Sequence, residues 1–362
     1  MPIKPSAEVQ PAHASPKGKR KNQSRPGRER TDRMGTRVRV PAAALFIMLF
    51  LGLSLLFSVA SGAVAIPVKD VAGYLFTGKT GALREVLWNI RLPRTIVAAL
   101  VGANLAVAGV LLQGVMRNPL ADPHIIGVSS GAGLSGIILL ILFPHMQGML
   151  TPVAFLGATA AALFIYLLAW KNGISPMRVI LAGVAVSAFL GSGISALLTF
   201  YSDRVHGALV FLVGGLAAKS WPHVGIILPY TLIGITAALI GSGKMNVLLL
   251  GDAQARSLGL PVEAVRLFLT AVGTLLAASA VSVAGLLGFV GLIVPHSARL
   301  LVGGDNRLLI PASALLGAGV VTCCDTVARL IFAPVELPVG IIMGALGAPF
   351  FLYLLRRKGD RV

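Results

Sequence analysis

PAAALFIMLFLGLSLLFSVASGAVAI, residues 41–66, carries no charged side chain from end to end. Crossing the hydrocarbon of a bilayer takes roughly 20 consecutive apolar residues in a helix, so this run is long enough to span one. It follows a basic segment and contains the small-residue stretch Ala63-Val64-Ala65, as a secretory signal would. Its apolar core exceeds the roughly 7–15 residues of such a signal, and more runs of the same kind follow. It therefore reads as an uncleaved first helix leaving the cytoplasm.

Nine further runs come after it, at 95–115, 125–143, 149–170, 179–200, 224–241, 267–285, 286–302, 308–332 and 339–355. Only VAGLLG marks the join within 267–302, which also admits one kinked segment. The composition agrees with a bilayer as solvent: 56% hydrophobic residues, 12% charged and a mean hydropathy of +0.86. A soluble domain carries roughly 25% charged residues, and half that frequency does not cover a wetted surface. The expected fold class is an all-α polytopic membrane protein with about ten transmembrane helices. Glycine (42) and proline (21) are scattered through the runs, which suits close helix packing in lipid; Gly183 to Ser187 and Gly340 to Gly344 have the small-xxx-small spacing.

The net charge of +18 points to the membrane surface rather than to nucleic acid, because of where it sits. Residues 1–40 hold about a third of all lysines and arginines, and RRKGDR (356–361) closes the chain. Both ends read as cytoplasmic anchors under the positive-inside rule. The tail 1–40, rich in Pro, Ser and Arg, reads as disordered and suited to anionic lipid headgroups. Ten spans return both termini to the cytoplasm, and the predicted inner segments carry about three times the Lys and Arg of the outer ones. Segment 67–94 breaks that bias with Lys69, Lys79, Arg84, Arg91 and Arg94, which makes it a candidate binding surface.

GYLFTGKT (73–80) matches a phosphate-binding loop in every fixed position. The motif needs a buried strand before it and cytoplasmic ATP beside it. Here an apolar helix precedes it and it falls on the outer side, so no ATP binding is expected. Cys323 and Cys324 are adjacent within an apolar run and support neither a disulfide nor a metal site. His145, His206 and His223 lie in expected outer loops, in reach of a metal-bearing ligand; His124 and His296 read as helix-end packing. No catalytic constellation, metal cluster or cofactor motif occurs, so the chain is not expected to be an enzyme.

Three features carry more. RLPRT (91–95) opens the second span and holds Arg91 and Arg94 at the outer surface. Asp325 and Arg329, four apart on the ninth helix, share a face and are placed to pair. KMNVLLLGDAQARSLGLPVEAVR (244–266), the longest inner connection between spans, reads as two short helices bent over a Gly-Leu-Pro corner, a shape suited to a cleft on a cytoplasmic partner.

With NPLADPHIIGVSSGAG (118–133), GFVGLIVPHSARLL (288–301) and ELPVGIIMGALGAPFFLYLL (336–355), these stretches occur in the order of a known family. Over residues 41–358 the chain resembles the FecCD-type permeases, membrane subunits of ABC importers for ferric siderophores, haem and vitamin B12. The resemblance implies a type II importer permease in the bacterial plasma membrane, paired with a second permease subunit as a homodimer. It further implies two cytoplasmic ABC ATPase subunits that hydrolyse the ATP and an extracytoplasmic substrate-binding protein. By motif position Arg91, Arg94 and Arg329 would dock that protein. Gly251, Asp252, Ala255, Leu258, Gly259 and Pro261, within coupling helices at about 249–262, would seat in the ATPases, and Gln113, Asn118 and Pro119 would line the pathway. A secondary transporter driven by an ion gradient is the competing expectation; it requires intramembrane carboxylates, of which Asp325 is the convincing one.

Overall fold

The computed structural model describes residues 26–62, 67, 71, 73–74, 81–171, 173 and 175–359. Twelve helices order these residues: α1 (Pro26–Ala60), α2 (Ala82–Val115), α3 (Val128–Leu142), α4 (Leu150–Ala169), α5 (Pro176–Phe200), α6 (Val205–Val213), α7 (Trp221–Leu248), α8 (Asp252–Ser257), α9 (Val262–Ala284), α10 (Val290–Val302), α11 (Asn306–Leu330) and α12 (Val339–Gly359). Among the described residues, seven are long and apolar enough to cross a membrane, and α3, α10 and α12 are shorter apolar helices. Together these ten coincide with the ten expected runs. Between α9 and α10 the chain breaks at Gly285–Phe289, so 267–302 is two helices.

Side-chain size sorts the helices into layers. The apolar windows of α2, α9 and α11 are 83%, 78% and 72% buried, and these helices are built largely from Ala, Gly, Val, Ser and Thr. Small residues let backbones approach, which drives helix association where lipid is as apolar as leucine. A Cβ on Gly102 would overlap the Gly317 carbonyl, where α2 crosses α11, and one on Gly109 would overlap that of Gly291, where α2 crosses α10. Asn104 Nδ2 adds a hydrogen bond to Ser279 Oγ (3.0 Å) between α2 and α9. The outer layer is α1, α4, α5 and α7, which present large apolar residues such as Leu45, Phe46, Leu156, Phe189 and Ile240 outward.

Three helix ends meet where α9 breaks. Leu286 N–H donates to Phe211 O (3.1 Å), Gly215 N–H to Ala284 O (2.8 Å) and Gly340 N–H to Gly214 O (3.1 Å). These bonds satisfy backbone groups that lipid would leave unpaired. Gly340 is required there, because a Cβ would overlap the Val213 carbonyl; Gly344, by contrast, faces open space.

Four expectations are corrected. Helix α1 extends back to Pro26, so residues 26–40 are helical rather than irregular, with Pro41 inside the helix; residues 1–25 lie outside the described residues. Adding turns to an existing helix costs far less than nucleating one. The RLPR stretch does not open its helix: α2 begins at Ala82, and Pro93 follows a π-helical turn over Val86–Arg91, a widening that accommodates its missing N–H. Helix α6, which packs on α3, occupies part of an expected loop. The inner connection holds one short helix, α8; the expected second one is the first turns of α9, since no breaker separates Val262 from Ala284. Of GYLFTGKT, only Gly73 and Tyr74 fall within the described residues.

Candidate functional site

At one end of the bundle a knot of charge ties α1, α2 and α11. Arg94 makes two hydrogen bonds to Asp325, Nε to Oδ2 at 3.0 Å and Nη2 to Oδ1 at 2.9 Å, and its Nη1 donates to Glu336 Oε2 at 2.7 Å. Arg329 Nε lies 3.4 Å from Asp325 Oδ2, as the four-residue spacing led one to expect. The last carbonyls of α1 have no intrahelical partner, and α1 has no basic residue in its own last turn. Its neighbours supply the donors: Arg91 Nη1 reaches Val59 O (3.0 Å) and Ala60 O (2.9 Å), and Arg329 Nη2 reaches Ser58 O (3.2 Å). Cations at a helix C-terminus also meet the negative end of its dipole. Gly62 leaves room for this, since a Cβ there would lie 2.8 Å from Arg91 Nη2.

The structure thus brings Arg91, Arg94 and Arg329 together, but turned inward: they are 4%, 6% and 8% exposed, where an open outer surface was expected. Burial follows from the partners, because a guanidinium surrounded by Asp325 and helix-end carbonyls is better compensated inside the bundle than an isolated one. Glu336 is different. Its side chain is 46% exposed, so it is the solvent-facing member of the knot.

The opposite end holds the other expected residues. Helix α2 stops at Val115; Arg117 takes φ 47°, and Asn118 closes the turn by accepting Leu120 N–H on Oδ1 (3.0 Å). Gln113 is buried and spans two groups of α10: Nε2 donates to Gly291 O (3.1 Å), and Oε1 accepts from Arg299 Nη2 (3.3 Å). Gln113 and Pro119 line one cavity together with Arg117, Met245, Arg299 and Asn306; Asn118 is not among its lining residues.

Beside this cavity lies the segment between α7 and α9. Gly251 (φ 117°) turns the chain into α8 in a conformation that side chains disfavour. Gly259 (φ 77°) ends α8 in a Schellman motif, with Leu260 N–H donating to Ala255 O (3.0 Å) and Gly259 N–H to Arg256 O (2.9 Å). Ala255 is fully buried and seats the turn, and Pro261 precedes the first residue of α9. Leu258 is 65% exposed and Leu250 is exposed as well, whereas Leu249 lines the cavity.

Asp252 faces back into the bundle. It accepts from Arg266 Nη2 at 2.9 and 3.1 Å and from Arg117, joining α8 to α9 and to the end of α2. Partial burial pushes the Asp252 carboxyl up, but the hydrogen bond and charge of Arg266, with the charge of Arg117, outweigh it and hold the group below its ordinary range.

Reading the sequence missed Ser58, Glu336, Leu249, Leu250, Arg117, Arg266 and Arg299. Arg266 and Arg299 were signalled by being lone arginines at apolar helices; Glu336 carried no comparable signal. His223 Nδ1 accepts from Ser220 N–H (3.3 Å) in a capping box, and His145 packs on Phe143. Among the described residues no group of three or more potential metal ligands forms.

Known proteins agree with this architecture. The chain belongs to the FecCD transport family, whose sequence profile matches residues 48–357. It is 43% identical over 306 residues to the cobalamin import system permease protein BtuC of Halobacterium salinarum, covering 84% of this chain and 82% of the relative. It is 39% identical over 325 residues to the Fe(3+)-citrate import system permease protein YfmD of Bacillus subtilis, covering 90% and 96%. A solved structure described as an inward-facing metal-chelate type ABC transporter superimposes with a TM-score of 0.78 at 29% identity, over 88% of this chain and 99% of that one. The chain is accordingly an ABC importer permease of the metal-chelate class and a multi-pass membrane protein.

Proposed function

We propose, from its place in the FecCD family, that this chain forms the pathway of an importer moving an iron(III)-siderophore or related chelate, haem and cobalamin included, across the bacterial plasma membrane. Two copies enclose the route, both termini lie in the cytoplasm, two separate ATPase subunits hydrolyse the ATP, and an extracytoplasmic protein delivers the cargo. A large polar chelate does not dissolve in hydrocarbon, so its route must run between helices that open and close.

One observation carries the reading: the segment 249–262 exposes apolar side chains at Leu250 and Leu258 while Asp252 holds its inner side to Arg266 and Arg117. Exposed leucines suit a hydrophobic cleft on an ATPase. A push on that segment reaches the end of α2 through Asp252–Arg117, beside Gln113 and Pro119. At the other end, the knot of Arg91, Arg94 and Arg329 is the proposed docking place for acidic residues of the delivery protein. The arginines are buried, so an incoming carboxylate meets Arg94 by displacing the exposed Glu336.

The test is uptake into proteoliposomes containing the chain with its ATPase and binding protein. Accumulation of ferric chelate that requires ATP supports the proposal. Accumulation driven by an ion gradient without any ATPase subunit contradicts it.

A further inference from the structure

The cavity where α2, α7, α10 and α11 converge has a volume of about 340 Å³ and contains two guanidiniums, Arg117 and Arg299, but no carboxylate among its lining residues. Arg117 shares Asp252 with Arg266. Arg299 has no such partner: its hydrogen bond goes to the neutral amide of Gln113, and among the described residues it enters no ion pair. The orientation of that amide is fixed, because Gln113 Nε2 is committed to Gly291 O. The nearest acid in sequence, Asp305, accepts on Oδ1 from Arg307 N–H and from Asn246 Nδ2, and among the described residues it forms no ion pair with Arg299. A partly buried guanidinium facing only a neutral acceptor retains a charge that a ligand has reason to neutralise.

We propose that this cavity is an anion site, which takes a carboxylate or phosphate group against Arg299 with Arg117 at its side. Guanidinium forks match the geometry of both groups. Two sources have that chemistry at the inner face: a small soluble anion and the phosphate of an anionic lipid. The inference concerns the permease alone and stands independently of its cargo and partners.

The experiment uses the full chain in nanodiscs of phosphatidylcholine, titrated at low salt with citrate, with inorganic phosphate and with the uncharged trimethyl ester of citrate. Bound phosphatidylglycerol is counted in parallel by mass spectrometry of protein extracted from mixed vesicles. The expected result is saturable binding of an anion, or retention of phosphatidylglycerol, with the ester inactive. Arg299→Gln weakens this by about tenfold or more, Arg299→Lys by less, and Arg204→Gln, far from the cavity, leaves it unchanged. Citrate or phosphate binding in the neutral nanodiscs identifies a soluble anion; lipid retention that these anions do not compete away identifies a headgroup. If neither anion binds and phosphatidylglycerol is not retained, or if the ester binds as well as citrate, the proposal is overturned. The ester comparison needs no variant, so it can overturn the proposal even if Arg299→Gln fails to fold.

Discussion

The guanidinium of Arg94 and the carboxylate of Asp325, 231 residues apart in the chain, meet in two hydrogen bonds of 3.0 and 2.9 Å, with the Asp325 side chain only 1% exposed. This contact joins α2 and α11, two of the three most buried spans, and Arg329 and Glu336 are organised around it. Removing Asp325 leaves two buried guanidiniums without their shared anion. Asp325→Ala is therefore expected to destabilise the protein by about 3–5 kcal/mol, read as a lower thermal unfolding midpoint in detergent. Combining it with Arg94→Met should cost less than the two single losses added; simple additivity would show that the pair is not coupled.

Glu336 permits a gentler test of docking than the buried arginines do. Its side chain is 46% exposed, so Glu336→Gln should leave the unfolding midpoint nearly unchanged while loosening its hold on Arg94 Nη1. Affinity for the delivery protein should rise, most clearly at low salt. Arg91→Glu with Arg94→Glu should instead weaken capture and blunt uptake. Affinity that ignores both changes would remove the docking role from this knot.

Leu258 offers an exposed apolar contact on the segment assigned to the ATPase. Leu258→Asp adds a charge without disturbing packing, so expression and folding should be normal. Uptake should fall severely while ATP hydrolysis by the partner continues, because the motor would no longer grip the permease. Uptake at the normal rate would count against the assignment.

Asp252 should make that segment sensitive to pH. Its carboxyl is held below the ordinary carboxylate range in the folded protein, so its contribution is present above the unfolded value of about 3.9 and is lost as pH falls through the folded value. Amide exchange in 252–258, corrected for its intrinsic pH dependence, should be slow at neutral pH and rise in strong acid. Asp252→Asn should raise it at pH 7. Equal protection in wild type and variant would mean that Arg266 and Arg117 do not hold the segment.

Much of this arrangement was legible in the sequence, because long uncharged runs have few interpretations and lone charges within them stand out. The ten apolar helices, the pairing of Asp325 with Arg329 and the glycine that ends α8 all follow local rules of length, spacing and backbone conformation. What escaped was set by distance. The partner of Arg94 lies in another helix, and the need of α1 for donors at its C-terminus is met by Arg91 and Arg329 from outside it. Hence three arginines expected at an open surface are buried. Helix α6 escaped for another reason: with bounds Val205–Val213 it is too short to span, and an apolar segment between spans reads as a loop. The extension of α1 to Pro26 runs through residues whose composition alone suggests irregular chain.

The central claim is that the segment 249–262 faces the cytoplasm, where a motor subunit grips it. The most direct measurement labels Leu250→Cys with a membrane-impermeant maleimide in oriented vesicles, after Cys323→Ser and Cys324→Ser remove the native thiols. The account predicts labelling only from the cytoplasmic side and protection once the ATPase subunits are bound. Labelling from the exterior, or no protection by the ATPase, would contradict it.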